Sequence, residues 1–179
     1  MHAVEPRSAA NGPGVRYCVW TQGCDRSCVG CCNPRARALA GGRRMDVRSL
    51  ARAVLHSNCE GLTLTGGEPL LQPTPVLRLM RLVRLGKKSV VLFTGRSLTQ
   101  VRRRVPGLGL YVDVLVCGPY DAKKPDGQGL RASGNQSVVL VTNRYTRADL
   151  DRVPAVEYII HKDGSYVRTG TGDGRWAGC

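Results

Sequence analysis

Three short β-branched runs in this chain each end on a glycine-bearing turn, and each is followed by a helical pattern. Residues 15–20 lead into Gly23-Cys24, residues 62–65 into Gly66-Gly67, and residues 89–93 into Thr94-Gly95. Further runs at 111–116, 137–142 and 156–161 bring the expected strands to six. Strands alternating with helices predict an α/β protein with a mostly parallel sheet. Six strands are too few for an eight-stranded barrel, so a small single domain is expected, with an open sheet or a partial barrel of (β/α)6 type. Ligands in such folds collect at the carboxyl ends of the strands. The three turn elements should therefore meet along one edge.

The helices between the strands are legible from apolar spacing. Asp46 is placed to cap a helix running to Asn58, with Val47, Leu50, Ala51, Val54 and Leu55 on one face. Thr74 is the expected cap of a second, with Pro75 in its first turn, Val76, Leu79, Met80 and Val83 facing inward, and Gly86 as its stop. A third helix fits residues 97–104, and a short one is expected before the last strand. Residues 1–14 read as an irregular lead ending in the turn Asn11-Gly12-Pro13-Gly14. Residues 118–135, rich in Gly, Lys, Asp and Pro, should form a long mobile loop of the kind that often carries function. Residues 1–161 make up the expected domain. Residues 162–179, with five glycines, are expected to be a poorly ordered tail.

Cys24, Cys28 and Cys31 form a CxxxCxxC run. Three thiolates so close can hold three corners of a metal cluster and leave a fourth open, whereas structural zinc takes four protein ligands and ferredoxin clusters take four cysteines. An iron–sulfur cluster with one open iron is one reading. A zinc knuckle completed by Cys32, Cys18 or a histidine is the other. Gly66-Gly67 at a strand end can bring bare backbone to a ligand, and the adjoining Glu68 carboxylate suits an ammonium group. Thr94 and Gly95 could supply a hydroxyl and backbone to a ribose. Each of these pairs is, taken singly, also an ordinary turn.

Composition narrows the partners. No stretch approaches the roughly 18 consecutive apolar residues of a membrane span, and Met1 to Pro6 lacks a basic segment leading into an apolar one, so a cytoplasmic protein is expected. Eight cysteines in that compartment favour metal or catalytic use over disulfides. The net charge of +14 raises the possibility of nucleic acid, but the arginines are dispersed from Arg7 to Arg175 and aromatic residues are only 5%. Few stacking platforms exist, so nucleic acid is disfavoured against a solvated Arg-rich surface, an acidic protein partner or a phosphate-bearing substrate. His56 on a helix and His161 at a strand end read as packing or surface groups, with His161 the nearer of the two to a strand-end ligand. Asp113, within an apolar run, should be hydrogen-bonded if buried.

Taken together, the CxxxCxxC loop and the strand-end Gly66-Gly67-Glu68 resemble the radical S-adenosylmethionine superfamily. Asn11 to Arg16, Gln22-Gly23-Cys24 through Asn33-Pro34, and Thr65 to Leu71 are similar to the glycyl-radical-enzyme activating proteins. Asp113 to Tyr120 and Leu130 to Gln136 resemble the activating component of anaerobic ribonucleotide reductase. The resemblance implies that Cys24, Cys28 and Cys31 ligate a 4Fe–4S cluster whose fourth iron is chelated by S-adenosylmethionine. It implies that Gly66, Gly67 and Glu68 hold the amino group of S-adenosylmethionine, with Thr94 and Gly95 near its ribose. It further implies a flavodoxin or ferredoxin as electron donor and a backbone glycine of a partner enzyme as the hydrogen-atom source. The chain departs from the family in reading Val116-Cys117-Gly118 where an Asp is usual, which predicts a missing acidic group near the cofactor. It also departs at Arg131 to Gln136 and in carrying Cys32 directly after the third cysteine. A radical enzyme tailoring a peptide or small molecule, and a non-catalytic iron–sulfur or zinc module, stay open as alternatives.

Overall fold

The computed structural model describes residues 1–172. Eight strands and four helices follow one another as β1 (Ala3–Ser8), β2 (Arg16–Thr21), α1 (Val47–His56), β3 (Gly61–Gly66), α2 (Pro73–Leu85), β4 (Ser89–Thr94), α3 (Leu98–Arg104), β5 (Val114–Cys117), β6 (Ser137–Leu140), α4 (Arg147–Asp151), β7 (Glu157–Ile160) and β8 (Tyr166–Thr169). The first six strands form one sheet in the order β1-β2-β3-β4-β5-β6. Strands β2 to β5 run parallel, while β1 and β6 flank them antiparallel. The mixed α/β class and mostly parallel sheet are as expected. The sheet does not close, since β1 and β6 each have one neighbour.

Local chemistry explains the helix positions. Asp46 accepts from the Ser49 N–H at 2.7 Å and starts α1, as its N-cap role predicts. Ser97 and Gln100 form a reciprocal capping box on α3, whose last turn carries Arg102, Arg103 and Arg104 toward the negative end of the helix dipole. Helix α2 corrects an expectation: it begins at Pro73 rather than after a Thr74 cap, and Gln72 precedes it with no side-chain capping bond, its amide donating instead to Gln22 O at 2.8 Å. Both Pro73 and Pro75 tolerate a first turn, and the earlier one takes it because neither needs an N–H there.

Alternation along the strands divides the core. Val19, Leu62, Leu64, Val90, Leu92 and Leu115 pack with the inward faces of α1 and α2. Val91, Val114 and Val116 point the other way, against Leu130, Val138 and Leu150. Each fully buried Val or Leu contributes about 1.5–3 kcal/mol, so both faces of the central strands are apolar sinks.

Two further expectations are corrected. The lead at residues 1–14 contains β1, which pairs Ala3 with Trp20 and Glu5 with Cys18 before a bulge. Its Ala-Val-Glu-Pro-Arg-Ser sequence shows no strand period because it is an edge, where Pro6 can lack a ladder donor. The expected tail contains β8, which pairs antiparallel with β7 as a separate hairpin, Ile160 opposite Tyr166. Strand β7 therefore leaves the main sheet, and β1 takes the sixth place. The hairpin turn rests on Gly164 at φ 82° and on Asp163, which accepts from both the Ser165 N–H and hydroxyl. Residues 173–179 of the expected tail lie outside the described residues. The hairpin is pinned to β1 by Glu157, whose Oε2 accepts from Ser8 Oγ at 2.6 Å and from the Ala9 N–H at 2.9 Å.

Candidate functional site

A cavity of about 290 Å³ opens where β2, β3 and β4 end, on the face carrying Trp20, Thr65 and Phe93. Cys24, Cys28 and Cys31 line it, as do Gly66, Gly67, Glu68, Thr94 and Gly95. All eight residues singled out in the sequence thus meet at one edge. Among the described residues no three His, Cys, Asp or Glu side chains are grouped as ligands of a single ion. The three free thiols share a wall of the cavity instead.

The two glycines allow β3 to end flush against the base of the cysteine loop. A Cβ on Gly66 would lie 2.3 Å from the Thr21 nitrogen, and one on Gly67 would lie 2.2 Å from the Gly23 carbonyl oxygen. Gly66 also holds φ at 111°. The Gly67 N–H donates to Thr21 O at 3.0 Å and the Glu68 N–H to Gly23 O at 2.8 Å. Their N–H groups are therefore spent on fastening strand to loop. Gly23 and Cys24 in turn donate to Ala36 and Arg37 carbonyls at 2.8 and 3.1 Å, which closes the loop from the other side.

Glu68 is completely buried. Its Oε1 accepts from the Leu70 N–H at 2.9 Å and the Thr94 hydroxyl at 2.7 Å, and its Oε2 accepts from the Gly95 N–H at 2.9 Å. One carboxylate thus ties the end of β3 to the end of β4, and charge-assisted bonds of this kind are each worth about 1.5–3 kcal/mol. The side chain has donors on three sides and retains room for one more on Oε2.

Several residues that the sequence did not mark complete the loop. Asp25 pairs with Arg96 at 2.8 Å, and Arg96 is only 3% exposed. The hydrogen bond from Arg96 holds the Asp25 carboxyl below its ordinary range, against the opposing effect of burial. Arg26 donates from a terminal nitrogen to Gln100 Oε1 at 2.9 Å. Two successive loop residues are therefore latched to the β4–α3 junction. Burial pushes the Cys24 thiol up, opposed by a hydrogen bond from the Arg26 backbone. The Asn33 N–H donates to Cys31 Sγ at 3.4 Å. Hydrogen bonds to ligand sulfurs are among the levers by which a protein tunes an iron–sulfur centre, so this donor set fits a cluster. Charge pairs between distant loops leave no spacing signal in a single sequence, so Asp25, Arg26 and Arg96 are not legible there, whereas Ser97-Leu98-Thr99-Gln100 has capping-box spacing that could have marked Gln100.

The remaining expected groups distribute themselves differently. Cys18 is buried within β2, its thiol raised strongly by burial, and it does not line the cavity, so it is not the fourth ligand a zinc knuckle would want there. Cys32 and His2 do line it. His56 bonds the Arg52 carbonyl at 2.8 Å, and His161 lies 3.6 Å from Glu5 outside the cavity lining. Asp113 is paired with Arg84 at 2.9 Å and also accepts from the Val90 N–H and the Thr142 hydroxyl. Cys117 packs in the apolar core and is not among the residues lining the cavity, so the position expected to carry Asp in the family does not line the cavity here. The loop after β5 is stapled rather than loose. Gln136 Oε1 accepts from the Ala132 and Ser133 N–H groups at 2.9 and 3.2 Å, and its amide donates to Gly118 O at 3.1 Å. Asn135 donates to Pro119 O at 2.8 Å. Tyr120 and the start of this loop cover the cysteine turn, where a Cβ on Gly30 would be 3.1 Å from Ala122.

Comparison with known proteins bears on this geometry. A family model described as a 4Fe-4S single cluster domain matches residues 10–139. An anaerobic ribonucleoside-triphosphate reductase-activating protein of Vibrio cholerae serotype O1 is 30% identical over 156 residues, covering 81% of this chain and 97% of the relative. A protein of the same description from Enterobacteria phage T4 is 32% identical over 141 residues, 74% of this chain and 88% of the relative. The chain belongs to the 4Fe-4S single cluster family of glycyl-radical-enzyme activating proteins. A pyruvate formate-lyase-activating enzyme from Clostridium pasteurianum is 33% identical over 88 residues, 46% of this chain and 37% of that protein. The family carries a 4Fe–4S cluster and uses S-adenosylmethionine, which agrees with the radical S-adenosylmethionine resemblance read from the motifs. The matched span takes in β2 to β6 and every cavity residue anticipated from the sequence.

Proposed function

We propose that this protein is the radical S-adenosylmethionine activating component of an anaerobic ribonucleotide reductase, acting on a backbone glycine of that enzyme. The observation that carries the reading is one cavity lined by three thiols, the strand-end Gly66-Gly67-Glu68 and Thr94-Gly95. Cys24, Cys28 and Cys31 would hold the 4Fe–4S cluster. Gly66, Gly67 and Glu68 would receive the amino group of S-adenosylmethionine, Glu68 through the side of Oε2 not used by Gly95. Thr94 and Gly95 would flank the ribose. When bound, the pair would supply one-electron reductive cleavage of the sulfonium, with the electron from the reduced donor protein, and through it the chemistry that removes a hydrogen atom from the glycine Cα.

The chain's own work is alignment and exclusion of water. Glu68 keeps the ends of β3 and β4 in register, the Asp25–Arg96 pair holds the cysteine loop against β4, and the loop after β5 covers the cysteine turn. The radical domain comprises residues 1–161 on a partial-barrel scaffold, with β8 adding to the cavity wall. Flavodoxin or ferredoxin is the proposed electron donor. The exposed Arg35, Arg43 and Arg44 lie on the segment bonded to the base of the cysteine loop, where they would meet an acidic face of the carrier. Reduced thiols and a low-potential donor fit a cytoplasmic setting.

Anaerobic reconstitution with S-adenosylmethionine, a reductant and the candidate reductase, followed by electron paramagnetic resonance, tests the assignment. A protein glycyl signal is expected. 5′-Deoxyadenosine without that signal would reject the reductase as substrate and favour a tailoring enzyme. Absence of both would favour a binding module.

A further inference from the structure

We propose that Arg26 is the carboxylate-binding residue for S-adenosylmethionine, its guanidinium meeting the methionyl carboxylate; this rests on the functional reading above. Three arginine Nε atoms are buried without a hydrogen-bond partner among the described residues, on Arg26, Arg96 and Arg131. Arg96 spends its guanidinium on Asp25, and Arg131 lies against Asp126. Arg26 alone of the three lines the cavity, and among the described residues no carboxylate lies in ion-pair contact with it. A guanidinium that lines the cavity with no carboxylate paired to it favours an anionic occupant there.

The surroundings specify that occupant. A Cβ placed on Gly95 would lie 3.5 Å from Glu68 Oε2 and 3.8 Å from Arg26 Nε. A negative and a positive group thus stand side by side at one spot on the cavity wall. An α-amino acid presents the complementary pair, ammonium and carboxylate, on one carbon. Sulfonium, ribose and adenine offer no negative charge. The bond from Arg26 to Gln100 Oε1 at 2.9 Å, on a helix held by its own capping box, fixes the plane of the guanidinium fork. Lysine could supply the charge but not a planar fork anchored through one terminal nitrogen to Gln100.

The test compares two ligands on the reconstituted protein, S-adenosylmethionine and its decarboxylated analogue, by equilibrium binding, with iron and sulfide content measured in parallel. Arg26→Gln should weaken S-adenosylmethionine roughly 10- to 100-fold, the loss expected for a charged hydrogen bond. The analogue should bind wild type and variant within about twofold, because the variant effect should vanish when the carboxylate is gone. Arg26→Lys should recover part of the lost affinity. Equal affinity of wild type and Arg26→Gln for S-adenosylmethionine, or equal weakening of both ligands, would overturn the assignment. Should Arg26→Gln fail to hold the cluster, Gln100→Ala is compared with the same ligand pair. Releasing the fork should then shrink the preference for S-adenosylmethionine several-fold, and an unchanged preference would overturn the assignment. Wild-type protein that takes up a cluster but binds neither ligand would instead sink the functional reading itself.

Discussion

The two ends of the parallel strands treat buried charge in opposite ways. At the amino ends, Arg16 is wholly buried and wholly satisfied. It donates to Thr63 Oγ1 at 3.1 Å, Ser89 Oγ at 2.6 Å, Tyr145 Oη at 3.3 Å and the Leu62 carbonyl at 2.6 Å. Tyr145 passes the connection on to Glu60 at 2.9 Å, and Arg144 meets the same carboxylate oxygen. At the carboxyl ends, Glu68 is also wholly buried and bonded, but the arginines beside it keep unpaired donors and the glycines leave a cavity. A closed network is what a fold uses to fix its register. An open one, at an edge where a cavity exists, is what a site uses to wait for a ligand. The motif Asn11 to Arg16, part of the family resemblance, thus supplies structure at one edge while the cysteine loop supplies chemistry at the other.

The largest effect that could break this contrast is on stability. Arg16→Met should cost on the order of 3 kcal/mol or more, because it strands several buried acceptors at once. Chemical denaturation of the cluster-free protein should show the loss, and a stability change under about 1 kcal/mol would mean that the network is ornamental. Next, Gly67→Ala should cost about 1–3 kcal/mol and lower iron uptake as well, since the new Cβ collides with the Gly23 carbonyl at the base of the loop. Retention of full iron content would show that the loop does not depend on this contact.

The cysteines separate the two behaviours more finely. Cys18→Ser should lower stability by about 1 kcal/mol with iron binding intact, because a hydroxyl replaces a buried thiol far from the cavity lining. Cys28→Ser should do the reverse, abolishing the iron–sulfur absorbance and leaving the cluster-free protein about as stable as before. The smallest expected effect is one of pH. Burial alone would raise the Glu60 carboxyl, but hydrogen bonds from Tyr145 and Arg144 and the charges of Arg144 and Arg16 hold it below its ordinary value of 4.5. A depressed folded-state value stabilises above that value and the benefit is lost as pH falls below it. Glu60→Gln should therefore flatten part of the acid limb of a stability profile, with no change in ligand binding at the far edge.

Much of the fold was legible because periodicity survives in single sequences. The stripes of α1 and α2, and the central strands β2 to β6, follow from it directly. The edge strand β1 and the hairpin strand β8 did not, for different reasons. β1 buries Glu5 and Ser8 rather than apolar side chains, and so carries no alternating apolar face. β8 was hidden by neighbouring glycines, although Asp163-Gly164 between two β-branched and aromatic runs is a hairpin signal. In the site, residue types with intrinsic chemistry were readable: thiols, paired glycines, a carboxylate beside them. What those residues touch was not. That the Gly67 and Glu68 N–H groups fasten β3 to the loop through Thr21 and Gly23, and that Glu68 braces the ends of β3 and β4, depends on atoms brought together from distant parts of the chain. In the sequence Arg26 is one of many dispersed arginines; only the fold sets it in the cavity wall beside Glu68.

The central claim is that the cysteine edge holds a four-iron cluster with one iron left for S-adenosylmethionine. Its most direct test is metal analysis with electron paramagnetic resonance of the anaerobically reconstituted, reduced protein, before and after adding S-adenosylmethionine. The account predicts about four irons and about four sulfides per chain. It also predicts a signal whose shape changes on adding S-adenosylmethionine in wild type, with both features gone in Cys28→Ser. One zinc per chain, or a four-iron signal indifferent to S-adenosylmethionine, would contradict it.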